Sequence, residues 1–226
     1  MAFLMATSPG VPVLCAGDRL ARDEFERRYS AMPDLKKAEL IDGVVYMGSP
    51  VRLTQHGRPE ADLAAWLAFY RAETPGLDQA QNCTLRLDLD NVPQPDLLLR
   101  VPEKKGGRSR VSADGYLEGP PELVAEVAAS SVSCDLHQKL HVYRRHSVLE
   151  YLVHRVDDGA VDWFLLEGGA YVAQPRGADG LLRSRAFPGL WLDVDALLRS
   201  DLRALRAAVL RGIASSDHAA FAARLA

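Results

Sequence analysis

The chain has 226 residues, 48% hydrophobic and 25% charged, a balance that supports a packed core and excludes a disordered or fibrous chain. Its formal net charge of -3 excludes a globally basic nucleic-acid binder, though not a local basic rim. Cys15, Cys83 and Cys134 form no CxxC pair, which excludes a disulfide framework and leads us to expect a reducing, cytoplasmic setting.

The N-terminal stretch MAFLMATSPGVPVL lacks a basic start and is broken by Gly10 and Pro12, so no targeting or transmembrane segment is expected. In DRLARDEFERRYSA, residues 18–31, the spacing of Leu20, Phe25 and Tyr29 predicts an amphipathic helix that stops before Pro33. AELIDGVVYM follows, two short apolar segments joined by Asp42-Gly43, which predicts a hairpin with a type I′ turn. From His56 to Tyr70, the stripe Leu63, Trp66, Leu67 and Tyr70 predicts a second helix, ended by Pro75-Gly76.

CTLRLDLD, residues 83–90, alternates leucine with polar residues and predicts a half-buried strand. PDLLLR and ELVAEVAA predict short buried strands. DLHQKLHVYRRH predicts a helix with Leu136, Leu140 and Tyr143 as its core stripe. A further strand, EYLVHRV, precedes a hairpin of VDWFLLE and AYVAQP about Gly168-Gly169, and FPGLWLD reads as core. The Ala- and Arg-rich tail from Asp195 to Ala226 reads as helical and peripheral. The order over residues 56–154 predicts an α/β fold, a mixed sheet flanked by helices, with residues 122–128 and 149–154 parallel neighbours through a right-handed crossover. We expect one domain over 1–198, with its core at 56–154, and a C-terminal helical extension over 199–226.

Two carboxylates sit where composition alone would not put them. Asp96 opens an apolar strand, and Glu126 lies inside one, on the face shared with Val124 and Ala128. A buried carboxylate needs a cation, a proton or a metal ion, and two converging from neighbouring strands need a cation between them. Hard oxygen ligands would favour Mg2+ or Mn2+ over zinc. Lys139 flanks the core stripe of its helix, and its stem is long enough to reach the strand ends. With Asp135 it reads either as part of that chemistry or as a surface pair four residues apart. Cys134, His137 and His141 have a zinc-like spacing without an evident fourth ligand, so a scattered solvent-facing set is the better reading. The run RVPEKKGGRSR, residues 100–110, sets five basic residues against one acid and reads as a solvated loop or as a contact for an anionic partner.

The succession ELIDG (39–43), His56 opening a helix, QPD (94–96), PELVAEVAAS (121–130), D-x-x-x-K (135–139), Tyr143 and EYLV (150–153) resembles the Uma-type restriction endonucleases of the PD-(D/E)XK nuclease superfamily. The resemblance covers residues 20 to about 198 and implies metal-dependent hydrolysis of DNA phosphodiesters. It assigns Asp96 to the PD element and Glu126 to the second acid, which would hold Mg2+ or Mn2+ with help from the Val127 carbonyl. Where the superfamily places lysine two residues after that acid, this chain has Ala128, and Lys139 takes the role from the next helix. Glu39 matches the ELIDG glutamate, as a metal or water ligand or as a structural acid. His56 and Asp135 are phosphate or supporting contacts, and a homodimer would suit cleavage of both strands. Two other readings stay open: a nuclease-fold binding or regulatory protein with little activity, and a metal-binding α/β domain with a small-molecule substrate.

Overall fold

A computed structural model describes residues 10–48 and 50–225; the expectation about the first nine residues lies outside them. Helix α1, Arg22–Ser30, buries Phe25. Strands β1, Ala38–Ile41, and β2, Val44–Met47, form the expected hairpin. Its corner residues Asp42 and Gly43 both take positive φ, 49° and 72°, as a type I′ turn requires. Helix α2, Arg58–Glu73, follows a wide π-type turn at Leu53–Gly57 and buries Leu63, Trp66, Leu67 and Tyr70 completely.

The main sheet contains six strands in the order β11-β10-β9-β8-β5-β3. They are β3 Asp78–Gln81, β5 Leu97–Arg100, β8 Leu123–Ala128, β9 Glu150–Arg155, β10 Ala160–Glu167 and β11 Ala170–Ala173. β8 and β9 are parallel, as expected of strands joined through a helix; the other neighbouring pairs are antiparallel. One face carries Leu97, Leu99, Leu123, Ala125 and Val127 and packs on α2. The other carries Leu98, Val124, Ala128, Tyr151 and Val153 and is covered by Tyr143 of α3, Leu140–Arg145. Alternation along β8 therefore sends Glu126 towards α3. A third cluster, Phe25, Met32, Leu40, Val45 and Val92, fixes α1 and the hairpin beside the sheet.

Three expectations need correction. Residues 83–90 form only β4, Leu85–Arg86, in a small sheet with β6, Arg110–Val111, and β7, Leu117–Glu118. The edge of the main sheet is instead the polar β3, whose burial is too slight to require an apolar alternation. The helix over 135–146 is two pieces, a π-type segment Cys134–Lys139 and then α3. The tail is not peripheral. Beyond the small hairpin β12, Leu181–Arg183, and β13, Trp191–Asp193, it forms α4 Val194–Leu198, α5 Leu202–Ile213 and α6 Ser216–Leu225. From these Leu205, Val209, Phe221 and Leu225 enter the same cluster as α2. No helix among the described residues is long and apolar enough to cross a membrane.

Candidate active site

The site forms where β5 parts from β8. Their last paired residues are Leu97 and Ala125, so β8 runs on through 126–128 without β5 beside it. Pro95 cannot donate to a ladder, which favours the parting there. Side chains replace the missing ladder bonds. The Val127 amide donates to Asp96 Oδ2 at 2.9 Å, and the Asp96 amide donates to Glu126 Oε2 at 3.3 Å. The two carboxylates expected to converge are thus locked to each other's backbone, and both are almost wholly buried. Val127 enters this arrangement through its amide while its side chain packs on the α2 face.

Lys139 is buried among the acids. Its Nζ stands 3.0 Å from Glu126 Oε1, 3.0 Å from Glu39 Oε1 and 3.6 Å from Asp135 Oδ1. An ammonium has three donors, and here three carboxylates surround it. Lys139 and Asp135 are 5% and 2% exposed, which overturns the surface-pair reading: a weak solvent-screened contact does not describe two buried charges. The π-type turn brings both residues to the sheet side. Tyr143, one turn on, donates to Glu126 Oε1 at 3.0 Å, and Glu39 also accepts the Gln94 amide at 2.7 Å, fixing the QPD segment to the hairpin.

A second tier lies nearer the surface. His56 Nε2 is 3.2 Å from Asp96 Oδ2, delivered by the other π-type turn; such turns recur at functional sites. Lys37 Nζ donates to Asp96 Oδ1 at 2.9 Å and to Asn82 Oδ1 at 3.2 Å. Asn82 Nδ2 donates to Glu60 Oε1 at 2.8 Å, and Glu60 Oε2 lies 3.4 Å from His56 Nδ1, out of line for a hydrogen bond. With Asp96, these four side chains form a ring that closes through the ion pairs of His56 with Glu60 and Asp96.

Acids outnumber bases here, and the charges show the strain. Burial, reinforced by the charges of Asp96, Asp135 and Glu39 and opposed by Lys139, pushes Glu126 up to about 8. Burial also acts on Asp96, but His56 and Lys37 outweigh it and hold that carboxyl well below its usual range. Contact with Asp96, then Glu60, raises His56 to about 9, so it is protonated at neutral pH. Lys139 is raised despite its burial by Glu126, Glu39 and Asp135 and stays an ammonium.

This donor set fits a hard divalent cation in chemistry and in charge: the oxygens are carboxylate, and Glu126 lacks enough positive charge to ionise readily. Ligation is not ready-made. Among the described residues no three His, Cys, Asp or Glu side chains already stand around a common point as metal ligands. The acids face Lys37, His56 and Lys139 instead. The same finding disposes of Cys134, His137 and His141, whose spacing was reckoned on a regular α-helix, whereas the turn that carries Cys134 and His137 is π-type.

The structure brings together Glu39, His56, Asp96, Glu126, Asp135 and Lys139. Sequence reasoning missed Lys37, Asn82 and Glu60, and saw Tyr143 as core and part of the motif succession without its bond to Glu126. A signal existed for Lys37, which is two residues before Glu39 and so on the same face of an extended segment. The basic run 100–110 lies at the other end of β5 from Asp96 and adds nothing to the site.

A mixed sheet with a parallel pair at its centre, flanked by helices, is the fold expected of a restriction-endonuclease-like protein. The chain belongs to the Uma2 family, described as "Putative restriction endonuclease", which matches residues 22–195. A crystal structure from Anabaena variabilis described as a "putative nuclease belonging to DUF820" is similar to this chain with a TM-score of 0.59 and 13% identity, over 80% of this chain and 98% of the other. At that identity the likeness shows the fold alone. No functionally curated protein matches.

Proposed function

We infer that the protein is a divalent-metal-dependent endonuclease of the PD-(D/E)XK type that hydrolyses phosphodiester bonds of DNA. The observation that carries this is the meeting of Asp96, Glu126, Glu39 and Lys139 at the parting of β5 and β8. Asp96 and Glu126, with the Val127 carbonyl, would hold Mg2+ or Mn2+. Such an ion, when bound, polarises a phosphate oxygen and lowers the pKa of the attacking water.

The chain's own residues do the rest. Lys139 is kept charged by Glu126 and Glu39. Its contact with Asp135, at 3.6 Å, is too long for a hydrogen bond and leaves that donor to orient the water and meet charge developing on the phosphorane. An ammonium so held orients rather than deprotonates. His56, protonated and part-exposed at the mouth, takes a non-bridging phosphate oxygen. Glu39 and Tyr143 keep the acids in register. A symmetric pair of copies is the simplest arrangement for cutting both strands of a duplex.

The test is cleavage of supercoiled, linear and single-stranded DNA with Mg2+ or Mn2+, beside Asp96→Asn, Glu126→Ala and Lys139→Ala, each checked for folding by circular dichroism. Cleavage by the wild type that falls by about 100-fold or more in each folded variant is the expected result. Mn2+ should also raise the thermal midpoint of the wild type and not that of Asp96→Asn. Full activity in Lys139→Ala would refute the role given to that lysine. Absence of both cleavage and metal binding would leave the nuclease-fold binding protein as the reading.

A further inference from the structure

Asp96 has two oxygens with different surroundings. Oδ2 accepts the Val127 amide at 2.9 Å and lies 3.2 Å from the His56 ring. Oδ1 has one partner among the described residues, the ammonium of Lys37 at 2.9 Å. On Glu126, Oε1 accepts from Lys139 and Tyr143, while Oε2 has, among the described residues, only the long bond from the Asp96 amide. A cation joining the two carboxylates therefore has acceptor capacity at Asp96 Oδ1 and Glu126 Oε2, and it meets Lys37 at the first.

The two lysines are held very differently. The Lys139 side chain is 6% exposed and lies 3.0 Å from two acids and 3.6 Å from a third; that of Lys37 is 27% exposed and, among the described residues, touches one acid and one amide. Lys37 precedes β1, where its flexible stem can swing outward into water without disturbing the hairpin. Its second partner, Asn82, sits in the left-handed region at φ 49° and donates its backbone amide to the Pro95 and Asp96 carbonyls, so the anchor of Lys37 is tied to the same segment as Asp96.

We propose that Lys37 is a displaceable counter-cation: it neutralises Asp96 Oδ1 in the metal-free protein, competes with the divalent ion for that oxygen, and so sets the concentration at which the site loads. The proposal rests on the metal reading above. It makes Lys37 a positioning residue that weakens metal binding, the opposite of what a residue assisting ligation would do. If Lys37 leaves Asp96 free about a tenth of the time, apparent affinity is lowered about tenfold, since binding is reduced by the competent fraction.

The experiment is calorimetric titration of the full chain with Mn2+, without DNA, for the wild type, Lys37→Met, Lys36→Met and Asp96→Asn. Lys36 is the exposed neighbour, so its removal reports the general effect of deleting one positive charge. Tightening of about tenfold in Lys37→Met, with less than about twofold in Lys36→Met, is expected. A Lys37→Met affinity equal to or weaker than wild type overturns the proposal, as does equal tightening in both lysine variants. Binding by Lys37→Met alone, with none measurable in the wild type, supports it. If Asp96→Asn binds Mn2+ as the wild type does, the metal reading itself fails, and if no variant binds, both fall.

Discussion

Away from the active site, His154 Nδ1 on β9 and Asp62 Oδ2 on α2 are both buried without hydrogen-bond partners among the described residues. Burial lowers His154 to about 4, against a weaker pull upward from Asp62, so the folded protein keeps the ring neutral where an unfolded chain would protonate it near 6.5. The sign follows from proton counts. Between those values the unfolded state binds more protons, and stability rises with pH; the contribution is fully present above about 6.5 and is lost as pH falls towards 4. At pH 5 the loss is about 2 kcal/mol. Urea unfolding of the wild type and His154→Gln at pH 7 and pH 5 should show the wild type losing about 2 kcal/mol more than the variant. A gap between them that does not move with pH would show that His154 is not the titrating group.

At the scale of elements, the C-terminal helices carry more of the fold than their composition suggests. Leu205 and Val209 of α5 are fully buried against the cluster that contains Trp66 and Tyr70, and Trp66 Nε1 donates to the Trp191 carbonyl at 2.9 Å. Gly212 lies so close to Gly189 that an added Cβ would meet the Gly189 carbonyl at 2.1 Å, which seats α5 on the preceding loop. Leu205→Ala should cost about 2–5 kcal/mol in chemical denaturation. A chain ending at residue 198 should lose cooperative unfolding, because several such deficits exceed the usual stability of about 5–15 kcal/mol. A truncated chain that melts as the full one does would restore the peripheral reading. The tail also marks how far the sequence is legible. Apolar periodicity identifies α1, α2, β5, β8 and β9 because their buried faces are strongly patterned, and Asp42-Gly43 announces its turn. It overlooks β3, an edge strand reading Asp-Gln-Ala-Gln, and misreads the tail, whose alanine-rich helices look solvent-facing until their leucines meet α2. Asp96 and Glu126 are visible as acids in apolar strands and Lys139 as the flank of a stripe. Their grouping with Lys37, Asn82 and Glu60 depends on the parting of β5 from β8 and on two π-type turns, which shift side-chain direction without leaving a local signature.

For the molecule as a whole, the distribution of charge matters more than its total. The basic run 100–110 looks like a nucleic-acid contact, yet it is organised around acids. Arg100 is buried against Asp78 and the Ser109 carbonyl, Arg110 pairs with Glu118, and buried Glu122 accepts the amides of Val101 at 2.8 Å and Arg108 at 3.3 Å. Gly107 is required for that closure, since a Cβ there would lie 1.6 Å from the Val101 carbonyl oxygen. Lys104 and Lys105 sit on a 3₁₀ turn beyond the far end of β5, with the whole strand between them and Asp96. Phosphate recognition should therefore come from the mouth of the site. Deleting a single cation that touches a phosphate of bound duplex lowers the salt dependence of binding by roughly one unit of slope. Replacing Lys104 and Lys105 together by alanine should leave DNA affinity and its slope against salt unchanged, whereas His56→Ala should weaken binding and flatten the slope. Fluorescence anisotropy across a salt series, with Ca2+ added to permit binding without cleavage, makes the comparison. A slope that falls by about two in the double lysine variant and not at all in His56→Ala would move the DNA to the opposite end of the sheet and separate it from the carboxylates.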